Sequence, residues 1–166
     1  MPKAPAAKKK HVHVDPPYVT NFIESHKDVA QRLGKQYNIP ASVLLAQSAQ
    51  ETGWGQKVVG NAYFGIKGKS PTGNSVNFGT HEETAKGTQQ INAAFRAYES
   101  YDEAAEDYAQ VITTNKAFAG ALLYRKEPQK FITEIAKKYA TDNKYTRNVL
   151  SIMKSHHLEQ YDAPQQ

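Results

Sequence analysis

Carboxylates at two places could perform acid catalysis in this chain of 166 residues. Glu51 lies in the string Gln50-Glu51-Thr52-Gly53-Trp54-Gly55, and the pair Glu82-Glu83 is the next acidic site before Glu99. Cleavage of a glycosidic bond uses one carboxylic acid to protonate the leaving oxygen, and usually a second carboxylate that guides water or stabilises charge on the sugar. The residue types at these two places fit that chemistry.

The local setting of Glu51 favours a carboxyl group that stays protonated near neutral pH. The pattern from Asn38 to Glu51 predicts a buried helix that begins at Pro40 and stops at Gly53, so Glu51 falls in its last turn. The negative end of the helix dipole disfavours a carboxylate there, and Trp54 can shield it from water, so both effects raise its pKa. The alternative is a solvated carboxylate that closes a surface helix.

Composition limits the class of protein. The length predicts one domain with a sizeable core. The absence of cysteine excludes disulfides, thiolate metal sites and a thiol nucleophile. The net charge of +5 favours an acidic partner, such as nucleic acid, anionic lipid or an anionic wall polymer, without choosing among them.

Residues 1–15 are rich in Lys, Ala and Pro and predict a disordered basic tail. A solvated tail is the default interpretation, and a solubility leader, a wall or nucleic-acid anchor and a transport signal are the alternatives. A secretory signal would need roughly 7–15 consecutive apolar residues and a membrane span about 20. We find neither, so we expect no Sec signal and no membrane insertion.

Helical patterns flank a glycine-rich segment. An apolar stripe predicts a helix over Tyr18–Tyr37, and the helix ending at Glu51 follows it. The range Gly53–Gly87 then holds eight of the ten glycines and predicts loops and short strands. Alternation over Ile91–Tyr98 predicts a strand, with an antiparallel neighbour around Val76–Thr80.

Helical patterns return after this segment. Ser100 and Glu103 form a capping-box pattern at the start of one helix, a second helix opens at Pro128, and a third runs from about Tyr145 to His156. We therefore predict a mostly helical α+β domain over residues 16–160 with a small β-lobe at about 53–98. Glu51 would lie at the cleft between the two lobes.

Four motifs together resemble glycoside hydrolase family 73. They are AQSAQETGWG over residues 46–55, NAYFGIKG over residues 61–68, FRAY over residues 95–98 and YATDNKY over residues 139–145. This family contains peptidoglycan N-acetylglucosaminidases, including the flagellar rod-associated wall hydrolase and several autolysins. The resemblance covers about residues 18–158. It implies a lysozyme-like fold, no cofactor, and cleavage of the β-1,4 bond after N-acetylglucosamine in peptidoglycan.

The resemblance also implies roles for individual residues. Glu51 matches the catalytic acid, and Glu82, in Thr80-His81-Glu82, best matches the second carboxylate. Glu83 is the contender, because neighbouring strand residues face opposite ways and only one of the two can face the cleft. Tyr139 and Tyr145 match two tyrosines of the family, and we expect Tyr139 to lie nearer the acid.

Further substrate-binding residues are expected along the groove. The full predicted binding set is Trp54, Asn61, Tyr63, Phe64, Tyr139 and Tyr145. The alternative for Trp54 and Phe64 is packing in the core. Two departures from the family are Ala62, where a second asparagine is common, and Asn143, where proline is usual. The His11/His13 and His156-His157 pairs lack further ligands at metal-binding spacing, so no metal site is predicted.

The leading hypothesis is a bacteriolytic peptidoglycan hydrolase with Glu51 as acid and Glu82 placing water. Alternatives are a muramidase or lytic transglycosylase, a non-catalytic wall-binding scaffold and, more remotely, a nucleic-acid binder, for which the basic residues are too scattered. We expect synthesis in the cytoplasm and action in the periplasm or cell wall. This pattern predicts a phage or type VI secretion effector aimed at a rival cell. An immunity protein that occludes the cleft would then be the expected partner.

Overall fold

The computed structural model describes residues 14–163, with only the backbone of residues 80–84. Most of the predicted tail over residues 1–15 therefore lies outside the described residues. The elements in chain order are α1 (Pro17–Tyr37), α2 (Ala41–Thr52), β1 (Ser75–Thr84), β2 (Gly87–Arg96), α3 (Tyr101–Thr114), a 3-10 helix (Lys116–Tyr124), α4 (Pro128–Tyr139), α5 (Asn143–Ser155) and a short 3-10 helix (Leu158–Tyr161). This confirms a mostly helical fold with a small sheet.

Helix α2 runs through the middle of the core, and ten of its twelve residues are buried, polar ones among them. Val43, Leu44 and Leu45 are fully buried, and α1, α4 and α5 all pack against this helix. Pro40 is its N-cap in extended conformation, so the helix begins at Ala41, one residue after the predicted start. The helix ends as predicted at Gly53, whose φ of 55° is the left-handed conformation that glycine adopts without strain. Glu51 is thereby fixed in the last turn of a rigid element.

The predicted antiparallel strand pair is confirmed, but it is longer than expected and its turn is tighter. Strands β1 and β2 form one hairpin in which Ser75 pairs with Arg96 and Thr84 pairs with Gly87. The turn therefore consists of Ala85-Lys86, whereas the sequence pattern left a wide connection between the strands. Strand β2 ends at Arg96, two residues before the predicted end, and its inner positions alternate in burial from Ile91 onwards.

The remaining helices are positioned by their caps. The Ser100 hydroxyl accepts the Glu103 N–H at 3.1 Å, as the capping-box pattern predicts. Pro128 is the first residue of α4, also as predicted. Helix α5 begins at Asn143, two residues earlier than expected, because Asp142 caps it by accepting the Lys144 N–H at 2.8 Å. The 3-10 helix over Lys116–Tyr124 was not predicted from the sequence.

The hairpin is attached to the helical body at its base. The backbone N–H of Arg96 donates to the carbonyl of Ile66 at 2.7 Å. The Arg96 guanidinium donates to both carboxylate oxygens of Asp107 on α3, at 3.0 and 3.2 Å. The Asp107 side chain is 5 % exposed, and it also accepts from the Tyr98 hydroxyl. In the described part of the chain, no helix has the length and apolar character needed to cross a membrane.

Candidate active site

Glu51 forms a hydrogen bond with a residue 94 positions later in the chain. The Tyr145 hydroxyl, from the first half of α5, donates to Oε1 of Glu51. This contact forms because α5 packs against α2, which brings the two side chains together at the end of α2. A phenol donor at one carboxyl oxygen fixes the orientation of the group and leaves the other oxygen free for chemistry.

A second hydrogen bond orients the tyrosine. Gln47 lies one helical turn before Glu51 on α2, so both side chains point to the same side of the helix. The Gln47 side chain is fully buried, and its Nε2 donates to the Tyr145 hydroxyl. The hydroxyl thus accepts from Gln47 and donates to Glu51, and its proton position is defined. Sequence reasoning missed Gln47, although its position four residues before Glu51 in the predicted helix was a usable signal.

Backbone also approaches the acid closely. Gly65 has a φ of 61°, and a Cβ atom at this position would lie 2.6 Å from Oε2 of Glu51. Any side chain here would therefore displace the carboxyl group or the loop. Gly65 is the glycine of the Tyr63-Phe64-Gly65 string, so the close approach explains why a glycine is needed at that place.

Burial raises the pKa of Glu51 from 4.5 to about 7, and the Tyr145 hydrogen bond opposes part of this rise because it favours the charged form. Burial also raises the pKa values of Tyr108, Tyr139 and Tyr145, and the nearby Glu51 charge adds to each rise. A carboxyl group with a pKa near 7 holds its proton in a substantial fraction of molecules at neutral pH. It can therefore donate that proton to a leaving oxygen.

The arrangement agrees with what comparison with known proteins finds. Residues 27–158 match the profile of the glucosaminidase family, which is described as mannosyl-glycoprotein endo-beta-N-acetylglucosaminidase. The chain belongs to this family. The predicted membership in glycoside hydrolase family 73 is confirmed, and the match covers Glu51, Gly65 and Tyr145 together.

Relatives of this glucosaminidase domain include proteins named as a peptidoglycan hydrolase and as an exo-glucosaminidase. The chain is 37 % identical over 140 residues to the peptidoglycan hydrolase FlgJ of Vibrio parahaemolyticus, covering 80 % of this chain and 46 % of that protein. It is 30 % identical over 149 residues to the exo-glucosaminidase LytG of Bacillus subtilis, covering 85 % and 52 %. The chain thus spans about half the length of these relatives.

A solved structure confirms the lysozyme-like architecture expected for the glucosaminidase domain. The catalytic domain of the autolysin Auto from Listeria monocytogenes superposes with a TM-score of 0.75 at 32 % identity, covering 92 % of each chain. The predicted α+β fold is therefore confirmed.

The two predicted tyrosines come together, but in the opposite order of proximity. We expected Tyr139 nearest the acid, whereas Tyr145 makes the hydrogen bond. Tyr139 stacks on Tyr145 with ring centroids 5.9 Å apart and planes 7° apart. The difference arises because Tyr139 ends α4 while Tyr145 lies within α5, the helix that packs along α2. Tyr139 therefore positions the ring of Tyr145.

The expectation that Trp54 shields Glu51 from water stays a prediction. Its ring meets Phe22 edge-on at 5.7 Å and His156 at 4.7 Å, so its described ring contacts are with α1 and the end of α5. The left-handed φ of 61° at Trp54 turns the chain away from the axis of α2. The rise in the pKa of Glu51 comes from burial, whichever side chains provide it. A role for Trp54 in binding glycan stays a prediction.

The other predicted binding residues lie on the loop after α2. Phe64 is only 1 % exposed and stacks on Tyr108 at 4.4 Å, so it is a core residue rather than a groove residue. Asn61 uses its side-chain amide to donate to the Tyr98 carbonyl at 3.0 Å. Tyr63 is partly buried, and its ring meets Tyr101 edge-on at 4.8 Å. Glycan contacts by Asn61 and Tyr63 stay predictions.

The choice between Glu82 and Glu83 depends on side chains outside the described residues. The backbone pairs Glu82 with Gln89 and Glu83 with Thr88. Position 82 has the same strand parity as Phe78, which stacks on the buried Phe95, and position 83 has the opposite parity. The preference for Glu82 therefore stays a prediction.

No group of three His, Asp or Glu side chains lies together as a metal site would require, within the range that the structure describes. A groove of about 520 Å³ exists on another side of the domain, between the end of α1 and the segment 125–128. It shares none of its lining residues with the surroundings of Glu51, so its volume does not make it the candidate site.

Proposed function

We propose that this domain hydrolyses the glycan strands of bacterial peptidoglycan at the β-1,4 bond after N-acetylglucosamine. The observation that carries the proposal is the buried carboxyl group of Glu51, which is held by Tyr145 and has its pKa raised to about 7. Family membership supports the substrate class, because the named relatives include peptidoglycan hydrolases and an exo-glucosaminidase.

In the proposed reaction, Glu51 donates its proton to the glycosidic oxygen as the bond to the anomeric carbon breaks. Tyr145 holds the carboxyl group in place and stabilises the carboxylate that this transfer leaves behind. The second carboxylate, for which Glu82 is the candidate, places water at the anomeric carbon or stabilises its positive charge. Glu51 recovers its proton when water adds.

Digestion of purified sacculi tests the proposal. The wild-type protein should release fragments with N-acetylglucosamine at the reducing end, identified by mass spectrometry after borohydride reduction. The Glu51→Gln variant should keep the fold and lose at least ~10²-fold in turnover, the lower limit for a positioned acid. Fragments ending in muramic acid, or in its anhydro form, would instead identify a muramidase or a lytic transglycosylase. Binding to sacculi without any released fragment would identify a scaffold.

We propose separately that the domain is bacteriolytic and reaches the wall of a rival cell as a secreted effector. The supporting argument is chemical: peptidoglycan lies outside the cytoplasmic membrane, so wall cleavage harms a cell only from that side. Expression in the cytoplasm should be tolerated, whereas expression with a periplasmic signal should lyse the cell. The Glu51→Gln form should not lyse it. Cytoplasmic toxicity that persists in Glu51→Gln would point to another target.

An inhibitor of the effector is part of the same proposal. Such an immunity protein would insert side chains into the cleft beside Glu51. Co-expression of exported products of neighbouring reading frames should then rescue cells from periplasmic lysis. A rescuing protein that binds while leaving the cleft open would contradict the expected mode of inhibition.

A further inference from the structure

A pocket of about 360 Å³ lies beside Glu51 and is separate from the hydrogen bonds that orient it. Two of its lining residues connect it to the acid. Gly65 is the backbone position in close approach to Glu51, and Tyr139 stacks on the tyrosine that binds Glu51. A glycan bound with its scissile bond at Glu51 would therefore extend a neighbouring substituent toward this pocket.

The pocket combines an apolar floor with a basic rim. Its apolar residues come from three elements and are Ile66, Val111 and Phe118. Its charged lining residues are all cations, Lys67, Arg96 and Lys138, among the side chains that the structure describes. A neutral sugar does not require three cations, whereas an acyl or peptide substituent that carries a carboxylate would match both features.

Arg96 is fixed in place and retains an unused donor. Its Nη1 donates to both oxygens of the buried Asp107, which holds the guanidinium rigidly. Its Nε is buried and has no hydrogen-bond partner among the described residues. The Arg96 side chain as a whole is 28 % exposed and lines the pocket, so other parts of it can contact a ligand there.

Lys138 supplies a mobile charge at the rim. It lies exposed in the last turn of α4 and forms no ion pair with any carboxylate of the described residues. Lys137, its neighbour, pairs instead with Glu134 at 3.2 Å and does not line the pocket. These two lysines on one helical turn therefore make a matched pair for testing what the pocket binds.

We infer that this pocket binds a carboxylate of the peptidoglycan strand next to the scissile bond, through Arg96 and Lys138. The inference rests on the proposed function. Two sources can supply the group, namely the lactyl carboxylate of muramic acid and the carboxylates of the stem peptide attached to it. In intact strands the lactyl group is amidated, so the two sources can be separated chemically.

Three forms of one substrate separate the sources. The first is intact peptidoglycan, which offers stem-peptide carboxylates. The second is glycan stripped of its peptides by an amidase, which offers lactyl carboxylates alone. The third is the stripped glycan after carbodiimide coupling to a neutral amine, which offers no carboxylate. Hydrolysis of soluble strands of each form is measured as kcat/KM for the wild type, Lys138→Glu, Lys138→Ala and Lys137→Glu.

We expect the wild-type kcat/KM to fall on the neutral glycan. Lys138→Ala should lower kcat/KM about fivefold on the charged form that supplies the carboxylate, through KM, and Lys138→Glu should lower it further. Both variants should equal the wild type on the neutral glycan. Lys137→Glu should match the wild type on all three forms. A loss on intact strands alone assigns the stem peptide, and a loss on stripped glycan assigns the lactyl group.

Equal effects of Lys138→Glu on charged and neutral glycan would overturn the inference while leaving the proposed function standing. Absence of hydrolysis on all three forms would overturn the proposed function. In that case, binding to the same three glycans in the Glu51→Gln background still decides the question. Binding that Lys138→Glu does not weaken would refute the pocket assignment.

Discussion

Gly65 leaves no room for a side chain beside Glu51: a Cβ atom built on it would lie 2.6 Å from Oε2 of the carboxyl group. The loop after α2 therefore forms part of the catalytic geometry through its backbone. The same loop carries Ile66, whose carbonyl binds the end of β2. The acid on the helical body and the hairpin on which the second carboxylate is predicted are thus held by one short stretch of chain.

The first prediction concerns this close approach. Gly65→Ala should lower turnover at least ~10²-fold, because the added methyl group displaces the acid from its productive position. The left-handed φ adds a strain of roughly 1–2 kcal/mol to the cost in stability. Gly73→Ala is the control, since Gly73 also has positive φ, 86°, but a Cβ there would meet nothing within 4 Å. If both variants lose the same activity, backbone strain rather than contact with Glu51 is responsible.

The second prediction concerns Tyr145. Tyr145→Phe removes the hydrogen bond that favours the charged form of Glu51, so the pKa of Glu51 should rise above about 7. Because the acid must be protonated to act, the alkaline limb of kcat/KM should move to higher pH. The maximal rate should fall about 3- to 10-fold through lost orientation.

Tyr139→Phe is the matched control for this experiment. It preserves the ring that stacks on Tyr145 and removes a hydroxyl that forms no hydrogen bond with Glu51. Its alkaline limb should therefore stay close to that of the wild type. A shift of the same size in both variants would show that the tyrosine pair acts through burial and not through the hydrogen bond.

The third prediction links the acid to stability. Glu51 has a folded-state pKa of about 7 against an ordinary value of 4.5, so its contribution to stability is fully present below pH 4.5 and is lost as pH rises through 7. Glu51→Gln does not titrate. Relative to the wild type, the free energy of unfolding of Glu51→Gln should therefore increase from pH 4.5 to pH 7. The expected increase is on the order of 2–3 kcal/mol after allowance for solvent.

Urea unfolding at several pH values measures this difference directly. The other carboxylates titrate in both proteins, so they cancel when the two free energies are subtracted. A difference that stays constant from pH 4 to pH 9 would show that Glu51 is not destabilised by burial, and its assignment as a proton donor at neutral pH would lose its support.

The fourth prediction concerns the second carboxylate. Glu82→Ala should lower turnover about 10²-fold, whereas Glu83→Ala should leave it near the wild-type value, because positions 82 and 83 have opposite parity on β1. Turnover on purified sacculi is the measurement. Small and equal losses in the two variants would favour attack by the substrate's own 2-acetamido group over a second protein carboxylate.

Local signals in the sequence predicted much of the fold. Pro128 and Gly53 mark helix ends by removing a donor or by allowing positive φ, and Ser100 caps α3 through its own side chain. These effects act within a few residues, so they can be recognised in the sequence without knowledge of the tertiary structure. The position of Glu51 in the last turn of a buried helix followed from the same signals and is confirmed.

The surroundings of Glu51 were harder to predict because they depend on packing between distant segments. The contact from Tyr145 exists only because α5 lies along α2, and no local pattern distinguishes it from Tyr139. The ring contacts of Trp54 with Phe22 and His156 depend on packing in the same way, and the sequence did not predict them. The tight turn at Ala85-Lys86 lacked the glycine or asparagine pair that marks a hairpin.

Arg96 occupies the base of the hairpin, the ion pair with Asp107 and the wall of the basic pocket at once. Arg96 therefore links the base of the hairpin to the pocket that we infer to bind substrate. A glycan strand that binds Arg96 would restrict motion of the hairpin on which the second carboxylate is predicted. Substrate binding would then also fix the position of that predicted carboxylate. We expect bound glycan to slow amide hydrogen exchange along the hairpin in the Glu51→Gln variant. Unchanged exchange would show that the hairpin is already rigid without substrate.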